Sequence, residues 1–195
     1  MANRWEWDER RVIYTGIVLI ILSGLPGTGK TTIARELAMA VLAVHVRIDS
    51  IEQAMRQAGW EVRGEGYAVG RALAADNLRL GHVVIADSVN PWPLTRAAWR
   101  SAAEEIGAPS LDVEVICSDV DEHRRRIESR VPDIDGHRLP TWQEVLARDY
   151  HPWDRDHVVI DTGRMDVEQA VRVLMTHIPS AGTISKGGQG PRSST

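Results

Sequence analysis

Gly24-Leu25-Pro26-Gly27-Thr28-Gly29-Lys30-Thr31 satisfies the pattern G-x-x-x-x-G-K-[ST] at every fixed position. Each residue type in it has a reason. Gly27 and Gly29 let the backbone turn and bring its N–H groups close to an anion with no Cβ in the way. Those donors, together with the positive end of a following helix, are suited to phosphate oxygens. Lys30 supplies a mobile charge for the β- and γ-phosphates, and the Thr31 hydroxyl is placed to ligate Mg²⁺. The candidate phosphate-binding set is Gly24, Pro26, Gly27, Thr28, Gly29, Lys30, Thr31 and Thr32.

Two acids and two arginines accompany this loop. Asp49 and Asp87 each follow a short β-branched run, so each is expected at the end of a strand. A carboxylate there could take a proton from an acceptor hydroxyl or hold Mg²⁺ through water. Helix capping is the simpler alternative for Asp49, because a helical pattern starts at Ile51. In DEHRRRIESR, Arg126 and Arg130 are four apart and share a face with Glu122. That face is either solvated and paired internally, or part of a lid whose arginines close over phosphates. The proline-bounded loop from Pro132 to Pro140 favours the lid.

The elements that must position these groups alternate regularly. Ile17 to Leu22 is apolar throughout and reads as a strand buried on both faces. Ile33, Leu37 and Val41 then recur on one helix face. Further strands are expected at 44–48, 82–86, 112–118 and 157–160. The helices between them include one from about Tyr67 to Leu80, one opened by an Asp119/Glu122 capping box, one capped by Thr141 and Glu144, and a last one through Val167, Val171, Leu174 and Ile178. The glycine-broken stretch Gly59 to Gly70 is expected to be a loop over a site, with Trp60, Arg63 and Tyr67 as an acceptor wall. Five strands alternating with helices predict an α/β fold, a parallel sheet covered on both faces, with ligands beyond the carboxyl ends of the strands. Residues 17–179 form the expected domain. Residues 1–16, with Val12 to Tyr14 as a possible edge strand, are an expected extension, and 180–195 an expected disordered tail.

Composition narrows the setting. Hydrophobic residues at 43% and charged residues at 26% fit a soluble globular chain. The longest apolar run is too short to span a bilayer, and the acidic, tryptophan-bearing start lacks the form of a signal peptide, so a cytoplasmic location is expected. The single cysteine, Cys117, excludes an internal disulfide, and the seven histidines show no metal-ligand spacing. A net charge of −4 gives no general attraction to nucleic acid.

The span from about Ile17 to Ile178 resembles the small P-loop kinases that phosphorylate hydroxyls. Ile48-Asp49-Ser50-Ile51-Glu52-Gln53-Ala54-Met55 is similar to the corresponding stretch of chloramphenicol phosphotransferase. Ala86-Asp87-Ser88-Val89-Asn90-Pro91 and the run Glu122 to Arg130 resemble polynucleotide 5′-hydroxyl kinase, and zeta-toxin-like kinases share the plan. The resemblance implies a P-loop NTPase fold of the nucleoside-monophosphate-kinase-like kind, a three-layer sandwich with an arginine-bearing lid. It also implies an ATP- and Mg²⁺-dependent phosphotransferase with Asp49 as general base. Lys30 and Thr31 would then serve the phosphates and Mg²⁺, Arg126 and Arg130 the lid, and Asp161 and Thr162 would lie near the adenine. Asp87, Arg63 and Tyr67 are the candidate substrate residues. Polynucleotide kinases carry an arginine three residues after the base where this chain has Glu52, which disfavours a polyanion and leaves a small neutral or basic hydroxyl compound as the expected acceptor. A polynucleotide or nucleotide-sugar kinase, and an ATP-binding switch module without transferase activity, are the alternatives.

Overall fold

The computed structural model describes residues 16–179; the expected extension with its Val12–Tyr14 strand and the expected tail from Ser180 lie outside the described residues. Five strands are present: β1 (Val18–Ser23), β2 (Val44–Arg47), β3 (Val83–Asp87), β4 (Ser110–Ile116) and β5 (Val158–Asp161). They form one sheet in the order β2-β3-β1-β4-β5, parallel throughout. Seven helices accompany them: α1 (Lys30–Val41), α2 (Ile48–Gln57), α3 (Glu65–Arg79), α4 (Pro93–Glu104), α5 (Val120–Ser129), α6 (Trp142–Leu146) and α7 (Val167–His177).

Side-chain alternation divides the core into two layers. Val18, Ile20 and Leu22 of β1 pack with Ile33 and Leu37 of α1 and Leu174 of α7. Leu19 and Ile21 pack with Ala74 and Leu78 of α3 and Trp99 of α4. Because β1 is central and buried on both faces, its sequence shows no period of two and reads as a continuous apolar run. Parallel register aligns the carboxyl ends: Leu22 lies beside Asp87, Arg47 beside Asp87, and Ile116 beside Asp161.

Two local expectations are corrected. β2 stops at Arg47, and Ile48 begins α2 rather than ending the strand. Ile48 is nearly fully buried among the α3/α4-side core, so a β-branched residue serves a helix here. Asp49 therefore sits in the first turn of α2. In addition, α3 starts at Glu65, so Gly66 and Gly70 are helical and only 59–64 remain outside helix. Both glycines are contact points: a Cβ on Gly66 would lie 2.4 Å from Glu52 Cγ, and one on Gly70 would lie 2.5 Å from Ile48 Cδ1.

The turn after β3 is held by buried polar groups. Asn90 has φ +46°; its side-chain amide donates to Leu22 O and its side-chain oxygen accepts from Trp99 Nε1. Arg96, 1% exposed, donates to the carbonyls of Asn90, Pro91, His151 and Pro152 and stacks 4.3 Å from the Trp153 ring centre. This arginine ties the turn to the segment that follows α6.

Candidate active site

The loop between β1 and α1 is built from three glycines in the left-handed region, Gly24 at φ +140°, Gly27 at +83° and Gly29 at +93°. A Cβ on Gly24 would lie 2.2 Å from the Val115 carbonyl oxygen, and one on Gly27 would lie 2.6 Å from Ile127 Cδ1. The loop therefore demands glycine for backbone geometry and for space alike. Gly29 caps α1, whose first turn carries no acid, so the positive end of the helix faces the loop unneutralised. Lys30 is buried, with Nζ donating to Leu25 O at 2.7 Å. Burial lowers the Lys30 amine to about 8, partly offset by the charges of Asp87 and Asp49.

A cleft of about 620 Å³ opens from this loop across the carboxyl ends of the strands. Of the sequence candidates, Pro26, Gly27, Gly29, Lys30, Thr31, Thr32, Asp49, Asp87, Arg126 and Arg130 all line it. Gly24, Thr28, Asp161 and Thr162 lie behind or beside the loop and do not. Asp49 makes no capping bond in α2; its side chain is 42% exposed, and one carboxylate oxygen stands 4.0 Å from the Arg47 guanidinium. Asp87 is buried, with His45 Nε2 at 3.1 Å from Oδ2. Burial pushes the Asp87 carboxyl up, but His45, Lys30 and Thr31 together hold it below the usual carboxylate range. It is a fixed anion beside the Thr31 hydroxyl.

Helix α5 lies directly on the loop. Ile127 contacts Gly27, and His123 Nε2 donates to Pro26 O at 2.7 Å. Asp119 caps α5 by accepting from Glu122 N, but the Glu122 carboxylate turns to Arg125 and Arg126, so only half of the expected capping box forms. Arg126 reaches the loop after β5: Nη1 donates to Thr162 Oγ1 at 2.8 Å and Nη2 to Thr162 O at 3.1 Å. Thr162 Oγ1 in turn donates to Thr28 O at 2.9 Å. Asp161 spends one carboxylate oxygen on Ser118 N and Gly163 N, organising that loop.

Arg63 and Tyr67 are not part of the cleft lining. Arg63 pairs with Glu61 on the surface at 2.7 Å, and Tyr67 Oη accepts from Asn90 N at 3.3 Å, its phenol pushed up by burial. Trp60 is 65% exposed. The residues that do complete the lining, and that the sequence did not single out, are Arg35, Arg56, Asp133, His137, Arg138 and Arg148 among others. Arg148, just beyond α6, is the cleft arginine whose guanidinium has no hydrogen-bond or ion-pair partner among the described residues. The loop after α5 is docked on α2: Gln53 and Gln57 both donate to Asp135 O at 3.0 Å, and Asp133 accepts from Arg47 Nη1 at 2.7 Å and Nη2 at 3.0 Å. Hydrogen bonds from Arg47, opposed by partial burial and reinforced by Arg35, hold the Asp133 carboxyl well below its usual range.

Among the described residues, no group of three or more His, Cys, Asp or Glu side chains could by itself hold a metal ion. The Thr31 hydroxyl beside the buried Asp87 carboxylate suits Mg²⁺, which takes few protein ligands and completes its shell with phosphate oxygens and water. No helix among the described residues is long and apolar enough to cross a membrane.

A family model described as an AAA domain matches residues 19–148. The chain is 28% identical over 177 residues to a protein of Aeropyrum pernix named a probable adenylyl-sulfate kinase, covering 84% of this chain and 93% of the relative. Among solved structures, the fold is shared with the APS kinase CysC of Mycobacterium tuberculosis in complex with AMPPNP and APS (18% identity, 83% of this chain and 97% of that one, TM-score 0.59). It is shared too with a gluconokinase from Sinorhizobium meliloti 1021 (16% identity, 83% and 90%, TM-score 0.56). Since the matched span takes in the phosphate loop, both acids and the arginine helix, the chain belongs to that AAA-domain family of P-loop, kinase-like proteins.

Proposed function

We propose that this protein is an ATP- and Mg²⁺-dependent phosphotransferase that phosphorylates a hydroxyl of a small molecule. The observation that carries the proposal is the position of Asp49, which opens onto the same cleft as Lys30 and the glycine loop and makes no capping bond. The relative named a probable adenylyl-sulfate kinase points the same way.

In this reading the N–H groups of 27–31 and Lys30 hold the β- and γ-phosphates, the helix dipole adding to their field. Thr31 and Asp87 would hold Mg²⁺, which supplies charge neutralisation on the phosphates. Asp49 orients the acceptor hydroxyl and accepts its proton as the oxygen attacks. Arg130 and Arg148 neutralise charge on the transferring group, and Arg126 fixes the arginine helix against the loop at Thr162. Phosphoryl transfer is mostly positioning and electrostatics, so few groups need chemistry of their own.

The test is transfer of label from γ-labelled ATP to a panel of sugars, amino alcohols, nucleosides and hydroxylated antibiotics, with 5′-hydroxyl oligonucleotides alongside. Mg²⁺-dependent labelling of a small alcohol is the expected result. Slow hydrolysis without any labelled acceptor would leave an ATP-binding switch instead.

A further inference from the structure

Arg47, at the end of β2, has a side chain only 5% exposed and lies behind Asp133, which lines the cleft with Arg35 and Arg130. Both of its terminal nitrogens bond to Asp133, and its Nε has no partner among the described residues. A guanidinium buried this deeply needs a counter-anion. Here the anion arrives on a loop 86 residues further along the chain, on a carboxylate that is one-third exposed. The cation is fixed in the fold, whereas its partner sits on a surface loop and can be replaced.

The geometry around Asp133 leaves one donor unused. Its two oxygens serve Arg47, and Oδ2 also accepts from Arg35. Arg130 remains 3.7 Å from Oδ1, beyond hydrogen-bond range. A carboxylate has no third oxygen to offer, but a tetrahedral oxyanion has. The location is equally specific, since the Arg47 guanidinium stands 4.0 Å from the Asp49 carboxylate.

We propose that Arg35, Arg47 and Arg130 form an acceptor subsite for a phosphate or sulfate ester, occupied in the free protein by the Asp133 carboxylate, with Arg130 shared between this ester and the transferring group. Naming this anion as part of the acceptor rests on the kinase reading above. Glu52, the residue that pointed toward a neutral or basic acceptor, does not oppose it: its charge is paired with Arg56 at 2.9 Å. The cleft lining as a whole carries eight Lys and Arg against four Asp and Glu, in a chain of net charge −4. An alcohol with its own oxyanion displaces Asp133, gains the Arg130 contact and brings its hydroxyl toward Asp49.

The experiment titrates inorganic sulfate into protein preloaded with Mg²⁺ and AMPPNP, so that the phosphate loop is already filled, and follows the melting temperature and the heat of binding. Asp133→Ala should bind sulfate about tenfold more tightly than wild type, and be stabilised by it more, because the competing carboxylate is gone. Arg35→Met, at a half-exposed helix position where folding is not at stake, should weaken sulfate about tenfold. Equal sulfate affinity in all three proteins overturns the subsite. A second arm compares one alcohol as its phosphate monoester, its sulfate ester, its carboxylate analogue and its uncharged form. Higher kcat/KM for either tetrahedral ester supports the subsite and tells phosphate from sulfate, whereas preference for the uncharged form overturns it and leaves the kinase reading standing. Variant-dependent sulfate binding with no phosphorylation of any alcohol supports the anion site and removes the kinase reading.

Discussion

Nucleotide binding should take up a proton at alkaline pH. The Lys30 amine lies at about 8 in the free protein, against an ordinary value of 10.5. The difference amounts to about 3 kcal/mol against the charged form. Burial is the main cause, and phosphate oxygens in the loop would reverse it by restoring a counter-charge. At pH 9 about a tenth of free Lys30 carries its proton, so binding ADP or AMPPNP should take up about 0.9 proton per site; at pH 7 the uptake falls to about 0.1. Apparent affinity should drop about tenfold between pH 7 and pH 9. The nucleotide phosphates are fully ionised near pH 9, so they add nothing there. Calorimetry in buffers of different ionisation heat reads the proton count from the slope. A buffer-independent heat at pH 9 would refute the reasoning, as would an unchanged pH dependence in Lys30→Arg, whose guanidinium does not titrate. The same group affects stability with a definite sign. The unfolded lysine keeps its proton up to about pH 10.5, so the free protein should gain stability as pH rises from about 8 to 10.5, by up to about 3 kcal/mol from this group.

Asp49→Asn should lower kcat by about 10²- to 10⁴-fold with the true acceptor while Mg²⁺·ATP affinity stays within about twofold, measured by steady-state rates and nucleotide titration. Arg148→Ala should lose at least about 10²-fold in kcat with a far smaller change in the KM for ATP; a pure KM effect would place Arg148 outside the transfer step. Arg96→Met should cost about 3 kcal/mol in urea unfolding, because four carbonyls lose their donor in a buried position.

Much of the fold was readable because its signals are local. The apolar run of β1, the glycine spacing and the Thr141/Glu144 capping box each depend on neighbours within a few residues, and each appears as expected, β1 shifted by a single residue. Ile48 reads as a strand terminus in the sequence because a β-branched residue buried on a helix is distinguished from one only by its tertiary partners. Gly66 and Gly70 looked like chain breakers for a similar reason: the need for a small residue came from Glu52 and Ile48 on another helix. The arginine helix was visible, but its division of labour was not. Arg126 is drawn toward Thr162, Arg130 toward Asp133, and Arg148 belongs to a later segment whose position depends on Arg96. The Arg47–Asp133 pair joins residues 86 apart in the chain, and no spacing rule reaches that far.

The contact of Ile127 with Gly27 means that one glycine answers to two masters, the anion on its inner side and a helix side chain on its outer side. A change at position 127 would therefore be felt first as altered grip on a triphosphate, although that side chain belongs to the arginine helix and not to the loop. By thermodynamic reciprocity, whatever free energy the helix position contributes to filling the cradle, a filled cradle returns to that helix position. The arginines carried by that helix would then register a filled cradle through a side chain that touches no phosphate.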